Sequence, residues 1–187
     1  MFRRIMGSSV YWFTGLSGSG KTTIAIATKN LLEEEELAVL ILDGDEIRKH
    51  SHSSLGFSKK DIQKNNSGIV KLCQQYRNKY DIIFVAVISP LEAYRLEARK
   101  ALKPSFYEVY IQADIDLLQT RDTKGLYAKA IRGEIKNMIG FSRNAPYESP
   151  RKPDIIINTN SKSVAESVSD LHGFIKSKLN RNINLDD

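Results

Sequence analysis

Gly15-Leu16-Ser17-Gly18-Ser19-Gly20-Lys21-Thr22 has the spacing G-x-x-x-x-G-K-[ST], in which each fixed position serves phosphate binding. Glycines let the backbone turn successive N–H groups inward, and a helix that starts at the loop's end adds its positive N-terminal dipole. Lys21 then reaches the β- and γ-phosphates, and the Thr22 hydroxyl ligates Mg²⁺. The context is the required one, because the apolar run 10–13 precedes the loop and a segment of helical period follows from Thr22. These residues predict a nucleoside triphosphate site. The guanine-reading pattern N-K-x-D is matched in letters by Asn78-Lys79-Tyr80-Asp81, but these residues precede the strand-like run 82–88. A guanine motif follows its strand at the carboxyl end, so the match is incidental.

A second group of chemistry-bearing residues follows the run 37–42. Asp43 and Asp45, separated by Gly44, stand where a parallel sheet binds ligands, at the carboxyl ends of its strands. The run 82–88 ends in Ser89-Pro90 without an acid, so the Asp43/Asp45 pair takes over the carboxylate role there. One carboxylate accepts the proton of an attacking hydroxyl while the other orients magnesium water, as phosphoryl transfer needs. Arg121, Lys124, Lys129, Arg132 and Lys136 fall in one segment with Gly125 as a hinge, which reads as a basic lid that closes over phosphates and excludes water. His50 and His52 have metal-like spacing but no third ligand nearby, and read as surface loop. His172 reads as structural and Cys73 as a small core residue on a helix.

Positioning such groups requires a scaffold. Strand-like runs at 10–13, 37–42, 82–88, 106–111 and 155–157 alternate with helical segments at about 22–32, 60–79, 91–102, 115–120, 126–135 and 164–179. Strands separated by helices predict an α/β fold, a five-stranded parallel sheet covered on both faces. The 187 residues, with 41% hydrophobic and 27% charged, suit one domain with its core at about 10–179 and a polar tail at 180–187. No apolar run approaches the roughly 20 residues of a membrane-spanning helix. The basic start lacks the apolar stretch of a secretory signal, which predicts a cytoplasmic protein without a membrane partner. The formal charge of +6 raises nucleic acid as a partner, but aromatics are not interleaved with Lys and Arg as stacking platforms would require, so no nucleic-acid partner is expected.

Taken in order, these motifs resemble the adenylylsulfate kinase (APS kinase) family over about 10–179. The resemblance is carried by the loop 15–22 with Thr23, Leu42-Asp43-Gly44-Asp45 with Arg48, Leu55-Gly56-Phe57-Ser58 with Asp61 and Asn65, and Ile88-Ser89-Pro90 with Arg95 and Arg99. It continues through Arg121-Asp122 with Lys124-Gly125-Leu126-Tyr127 to Pro146-Tyr147-Glu148 with Pro150. It implies a P-loop kinase that moves the γ-phosphoryl of ATP to the ribose 3′-hydroxyl of adenylylsulfate, and a homodimer. Gly15, Ser17, Gly18, Ser19, Gly20, Lys21, Thr22 and Thr23 would serve ATP and Mg²⁺, with Arg121 near the ATP base. Thr22 and Asp45 would hold the metal, and Asp45 with Asp43 would also serve the hydroxyl. Lys124 would act from the lid. Arg48, Asn65, Ile88, Leu126 and Met138 would meet the acceptor, and Phe57 would stack on its base. Ser89 matches a serine that has been treated in that family as a phosphoserine intermediate; direct in-line transfer needs no covalent step, and a serine at a strand tip instead hydrogen-bonds the acceptor.

The departures from the family pattern cluster. Ile62 stands where the family has an arginine after Asp61, Ser67-Gly68 replaces an arginine pair, and Met138-Ile139-Gly140 replaces F-T-G. Each lost arginine fork removes charge-assisted hydrogen bonds worth roughly 1.5–3 kcal/mol, or about one to two decades in acceptor binding. Lys59, Lys60 or Lys64 could compensate. The acceptor therefore stays open between adenylylsulfate and a nucleotide 5′-conjugate of smaller base and lower charge, such as cytidine diphosphoramidate. A non-catalytic nucleotide-binding regulatory domain is a further reading, opposed by the intact Lys21, Thr22, Asp43, Asp45 and Lys124.

Overall fold

The computed structural model describes residues 8–50, 56 and 58–183. Five strands, β1 (Ser9–Thr14), β2 (Val39–Asp43), β3 (Ile82–Ala86), β4 (Phe106–Gln112) and β5 (Ile155–Asn158), form one sheet in the order β2-β3-β1-β4-β5. Every pairing is parallel. The helices between them are α1 (Lys21–Glu34), α2 (Gly44–His50), α3 (Lys59–Tyr76), α4 (Glu92–Leu102), α5 (Ile115–Arg121), α6 (Leu126–Ile131) and α7 (Val164–Ile183). This is the expected α/β architecture, and all five strand-like runs are strands.

Central β1 shows why such a strand carries no polar alternation. All six of its residues are buried, because both faces of the sheet are covered. Alternate side chains still go to opposite sides. Tyr11 and Phe13 join a core with Ile24 and Leu32 of α1 and Leu171 and Ile175 of α7. Val10 and Trp12 join a second core with Ile69 and Cys73 of α3 and Ala98 and Leu102 of α4. The helix that follows the phosphate loop and the helix that carries Asn65 thus lie on opposite faces of the sheet.

Three local expectations are corrected. Helix α7 runs to Ile183 and so takes in the first four residues of the stretch 180–187 expected as a polar tail. The residues after Asp43, where the sequence pattern places no helix, begin α2, because the Asp43 carboxylate accepts from the backbone N–H groups of Asp45 at 2.8 Å and Glu46 at 3.4 Å and so caps the helix. The lid helix, expected over 126–135, stops at Ile131. Gly133 takes φ +75°, and the N–H groups of Gly133 and Glu134 return to the carbonyls of Ala130 and Lys129 at 3.0 and 2.9 Å, which closes the helix.

Candidate active site

The carboxyl ends of β1, β2 and β3 meet the lid segment around one cavity of about 430 Å³. The first wall is the phosphate loop. Gly15 is required there by space, since a Cβ on it would stand 2.5 Å from the Ile111 carbonyl oxygen of β4. Lys21 opens α1 and folds back over the loop, its ammonium donating to the carbonyls of Leu16 at 2.7 Å and Gly15 at 3.0 Å. Burial of this ammonium, with repulsion from Lys124, lowers its pKa to about 7 against the opposing pull of Asp45 and Asp43.

Thr22 and the carboxylates meet at the same end of the sheet. The Thr22 hydroxyl donates to Asp43 Oδ2 at 2.7 Å, while Asp43 Oδ1 caps α2, so one carboxylate fixes both the loop threonine and the start of the helix carrying Asp45. Lys124 reaches across from the lid to Asp45 Oδ2 at 2.5 Å. Burial works to raise the Asp45 carboxyl, but the Lys124 hydrogen bond and charge, helped by Lys21 and Lys49, outweigh it and hold the group below the ordinary carboxylate range. Both partners of this pair are more than half exposed, at 51% and 63%, so it contributes at most about 1 kcal/mol to stability and is free to exchange partners. Thr22, Asp43 and Asp45 together present a hydroxyl and two carboxylates, the oxygen donors that suit Mg²⁺.

The lid is tied to the loop from below. Asp122 accepts from the N–H groups of Tyr127 and Ala128 at 3.0 and 2.9 Å and caps α6. The buried Tyr127 donates its hydroxyl to the Ser17 carbonyl at 3.0 Å, and Leu118, Tyr127 and Met138 form a small core beneath it. Gly125 takes φ +64°, has open space where a Cβ would stand, and directly precedes α6.

The opposite wall comes from α3 and the segment after β3. Ser89 is a non-glycine residue at φ +43°, a conformation that must be held by its surroundings. Its carbonyl accepts from Arg95 Nη1 at 2.7 Å, and its hydroxyl from Asn66 Nδ2 at 2.8 Å. Arg95 is 1% exposed and also binds Glu108 of β4 at 2.7 Å and the Glu148 carbonyl at 2.7 Å. Thr14 at the end of β1 donates to the Ile88 carbonyl at 2.6 Å, joining this segment to the loop strand.

Most of the sequence-predicted residues come together here. Ser17, Gly18, Gly20, Lys21, Thr22, Thr23, Asp43, Asp45, Arg48, Asn65, Ile88, Ser89, Lys124, Leu126 and Met138 all line the cavity. Gly15 and Ser19 lie in the loop without lining it. Arg121 stands outside it, in a narrow crevice shared with Ser17, Gly18 and Leu118, where its guanidinium donates to the Thr159 carbonyl at 3.0 Å. Phe57 lies outside the described residues. Sequence reasoning missed Asn66, Thr123, Ile135 and Asn137, which also line the cavity. For Asn66 a signal existed: the buried stripe of α3 runs Ile62, Asn65, Asn66, Ile69, Cys73, so two amides occupy core-facing positions of an amphipathic helix.

The family model described as Adenylylsulphate kinase matches residues 7–158. An adenylyl-sulfate kinase from Prochlorococcus marinus is 43% identical over 165 residues, 88% of this chain and 81% of its own. One from Staphylococcus haemolyticus is 42% identical over 172 residues, 91% of this chain and 85% of its own. Among solved structures, the Mycobacterium tuberculosis APS kinase CysC in complex with AMPPNP and APS superposes with a TM-score of 0.86 at 32% identity, covering 91% of this chain and 98% of that one. Shikimate kinase from Aquifex aeolicus, at 15% identity and a TM-score of 0.55 over 91% of this chain and 98% of its own, shares the fold alone.

Proposed function

The chain belongs to the adenylylsulfate kinase family, and we propose that its cavity performs the reaction of that family: ATP gives its γ-phosphoryl group to the ribose 3′-hydroxyl of adenylylsulfate, leaving ADP and 3′-phosphoadenylylsulfate. The observation that carries this reading is the convergence of Lys21, the Thr22–Asp43 pair and the Lys124–Asp45 pair on one cavity whose far wall holds Arg48, Asn65 and Ser89. Loop N–H groups and Lys21 bind the phosphates. Thr22 and Asp45, with Asp43 beside them, would hold Mg²⁺, which would supply charge neutralisation when bound. Asp45 accepts the proton of the attacking hydroxyl as the phosphoryl group moves in line to it, and Lys124 leaves Asp45 for the transferring phosphoryl oxygens. Ser89 binds the acceptor and forms no covalent intermediate. Arg121 serves the ATP base from its crevice.

One observation favours a second acceptor. Ile62 is buried and lines the cavity together with Met138 and Ile139, so part of the wall is apolar where the family resemblance leads one to expect an arginine. A conjugate of lower charge, such as cytidine diphosphoramidate, suits such a wall. ADP release with the two compounds side by side decides: saturable micromolar use of adenylylsulfate supports the first reading, and activity with the cytidine compound alone replaces it. The homodimer expected from the resemblance is tested by light scattering of the purified protein.

A further inference from the structure

Resting on this kinase reading, we propose that Asn66 is a specificity-determining positioning residue, which turns the Ser89 hydroxyl proton into the cavity as a donor to a lone pair of the acceptor nucleotide, such as a ribose or phosphoryl oxygen. Asn66 and Ser89 are 4% and 3% exposed, and both line the cavity. The amide Nδ2 of Asn66 stands 2.8 Å from Ser89 Oγ. An amide nitrogen has no lone pair to offer, so in this pair the hydroxyl oxygen accepts, and its single proton must go to another group. Among the described residues, Asn66 is the partner of that hydroxyl.

The backbone leaves the serine little choice of direction. Its left-handed conformation is clamped by Arg95 on its own carbonyl and, one residue earlier, by Thr14 on the Ile88 carbonyl. Arg95 is itself fixed to Glu108 and to the Glu148 carbonyl. A buried hydroxyl with its oxygen engaged and its backbone pinned is a directed donor. It favours an acceptor atom carrying a lone pair and disfavours an N–H group at the same point, because a buried donor left without a partner is costly.

The hydrogen-bond polarity can be reversed without changing shape. Asn66→Asp keeps the size and, when ionised, can only accept, so Ser89 would donate to it and turn lone pairs to the cavity. Equilibrium binding of adenylylsulfate by calorimetry, without ATP, and steady-state turnover are measured on the same preparations. Asn66→Asp is expected to weaken acceptor binding and raise acceptor KM about tenfold, with the KM for ATP unchanged. Asn66→Leu, which buries no charge, guards against misfolding of the Asp variant and should raise acceptor KM in the same selective way. In a Ser89→Ala background, Asn66→Asp should add less than about twofold, because there is no proton left to orient. Acceptor affinity unchanged in both Asn66 variants, an equal rise in both KM values, or additive effects in the double variant would each overturn the proposal. Wild-type binding without turnover would instead sink the kinase reading and leave the Asn66 result standing in the binding data; a wild type that binds no adenylylsulfate overturns both.

Discussion

Replacing Arg95 by methionine should be the most destructive single change on the acceptor side of this protein, although Arg95 does not line the cavity. Its guanidinium is 1% exposed and donates to Glu108, to the Ser89 carbonyl and to the Glu148 carbonyl, each at 2.7 Å. Removing one partner of a buried ion pair costs about 3–5 kcal/mol, chiefly because the other charge stays buried without it. Arg99, whose guanidinium lies 3.4 Å from the second Glu108 oxygen, offsets part of that, so a loss of about 3 kcal/mol is expected. In a chain of this size that corresponds to a fall in Tm of about 6–12 °C. The assay is urea denaturation followed by the fluorescence of Trp12, the single tryptophan, which is fully buried in the central strand. Arg95→Met with Glu108→Gln should recover more than half of the loss, since the orphaned charge is gone. In Arg95→Met alone, acceptor KM should also rise at temperatures where the variant is folded, because the strongest clamp on the Ser89 carbonyl, the Arg95 hydrogen bond at 2.7 Å, is then lost. A loss below about 1 kcal/mol, or a double variant no more stable than the single, would refute the reasoning.

Asp45→Ala should lower kcat about 10²–10⁴-fold while the Kd for ATP moves only a few-fold; activity within tenfold of wild type would refute its role as the base. Lys21 titrates at about 7 in the free protein, and bound phosphate favours its charged form. ATP binding should therefore take up a proton above pH 7, with Kd weakening by up to about tenfold per pH unit there and little linkage below pH 6.5; calorimetry in two buffers of different ionisation enthalpy checks this, and a Kd flat from pH 7 to 8.5 would contradict it. Glu35, held below its ordinary range first by the Lys176 hydrogen bond and then by that of His172, stabilises the protein above the usual carboxylate pKa and loses that contribution as pH falls through its own lowered value. A Glu35→Gln variant should show a shallower fall of Tm between pH 5 and 3 than wild type, and an identical slope would show that the contact contributes nothing.

The nucleotide half of the site was legible because its chemistry is local. A phosphate loop needs its glycines, lysine and threonine within eight consecutive positions, and the strand before and helix after it have their own periodicity. Strand identity was legible for the same reason, whereas the order β2-β3-β1-β4-β5 rests on pairings between distant segments that composition does not encode. The start of α2 is hidden in the sequence because Asp43 both binds the loop threonine and caps the helix, and residue type does not reveal the second role. The end of the lid helix is hidden because apolar Ile135 lies beyond the Arg132-Gly133 stop and carries an apolar position past it. Arg95 was recognised only as part of a motif, since its three partners lie 13, 6 and 53 residues away. Asn66 went unnoticed because its partner, Ser89, stands 23 residues along the chain.

The division of the core by the sheet has an evolutionary consequence. The helix that springs from the phosphate loop packs with α7 on one face, and α3, which brings Ile62, Asn65 and Asn66 to the cavity, packs with α4 on the other. Substitutions that retune α3 draw on a different hydrophobic reservoir from the one that holds the triphosphate grip. Such a protein can trade one acceptor for another by small steps while its power to spend ATP is inherited intact, and Ile62, Asn65 and Asn66 on α3 are where that drift would be written.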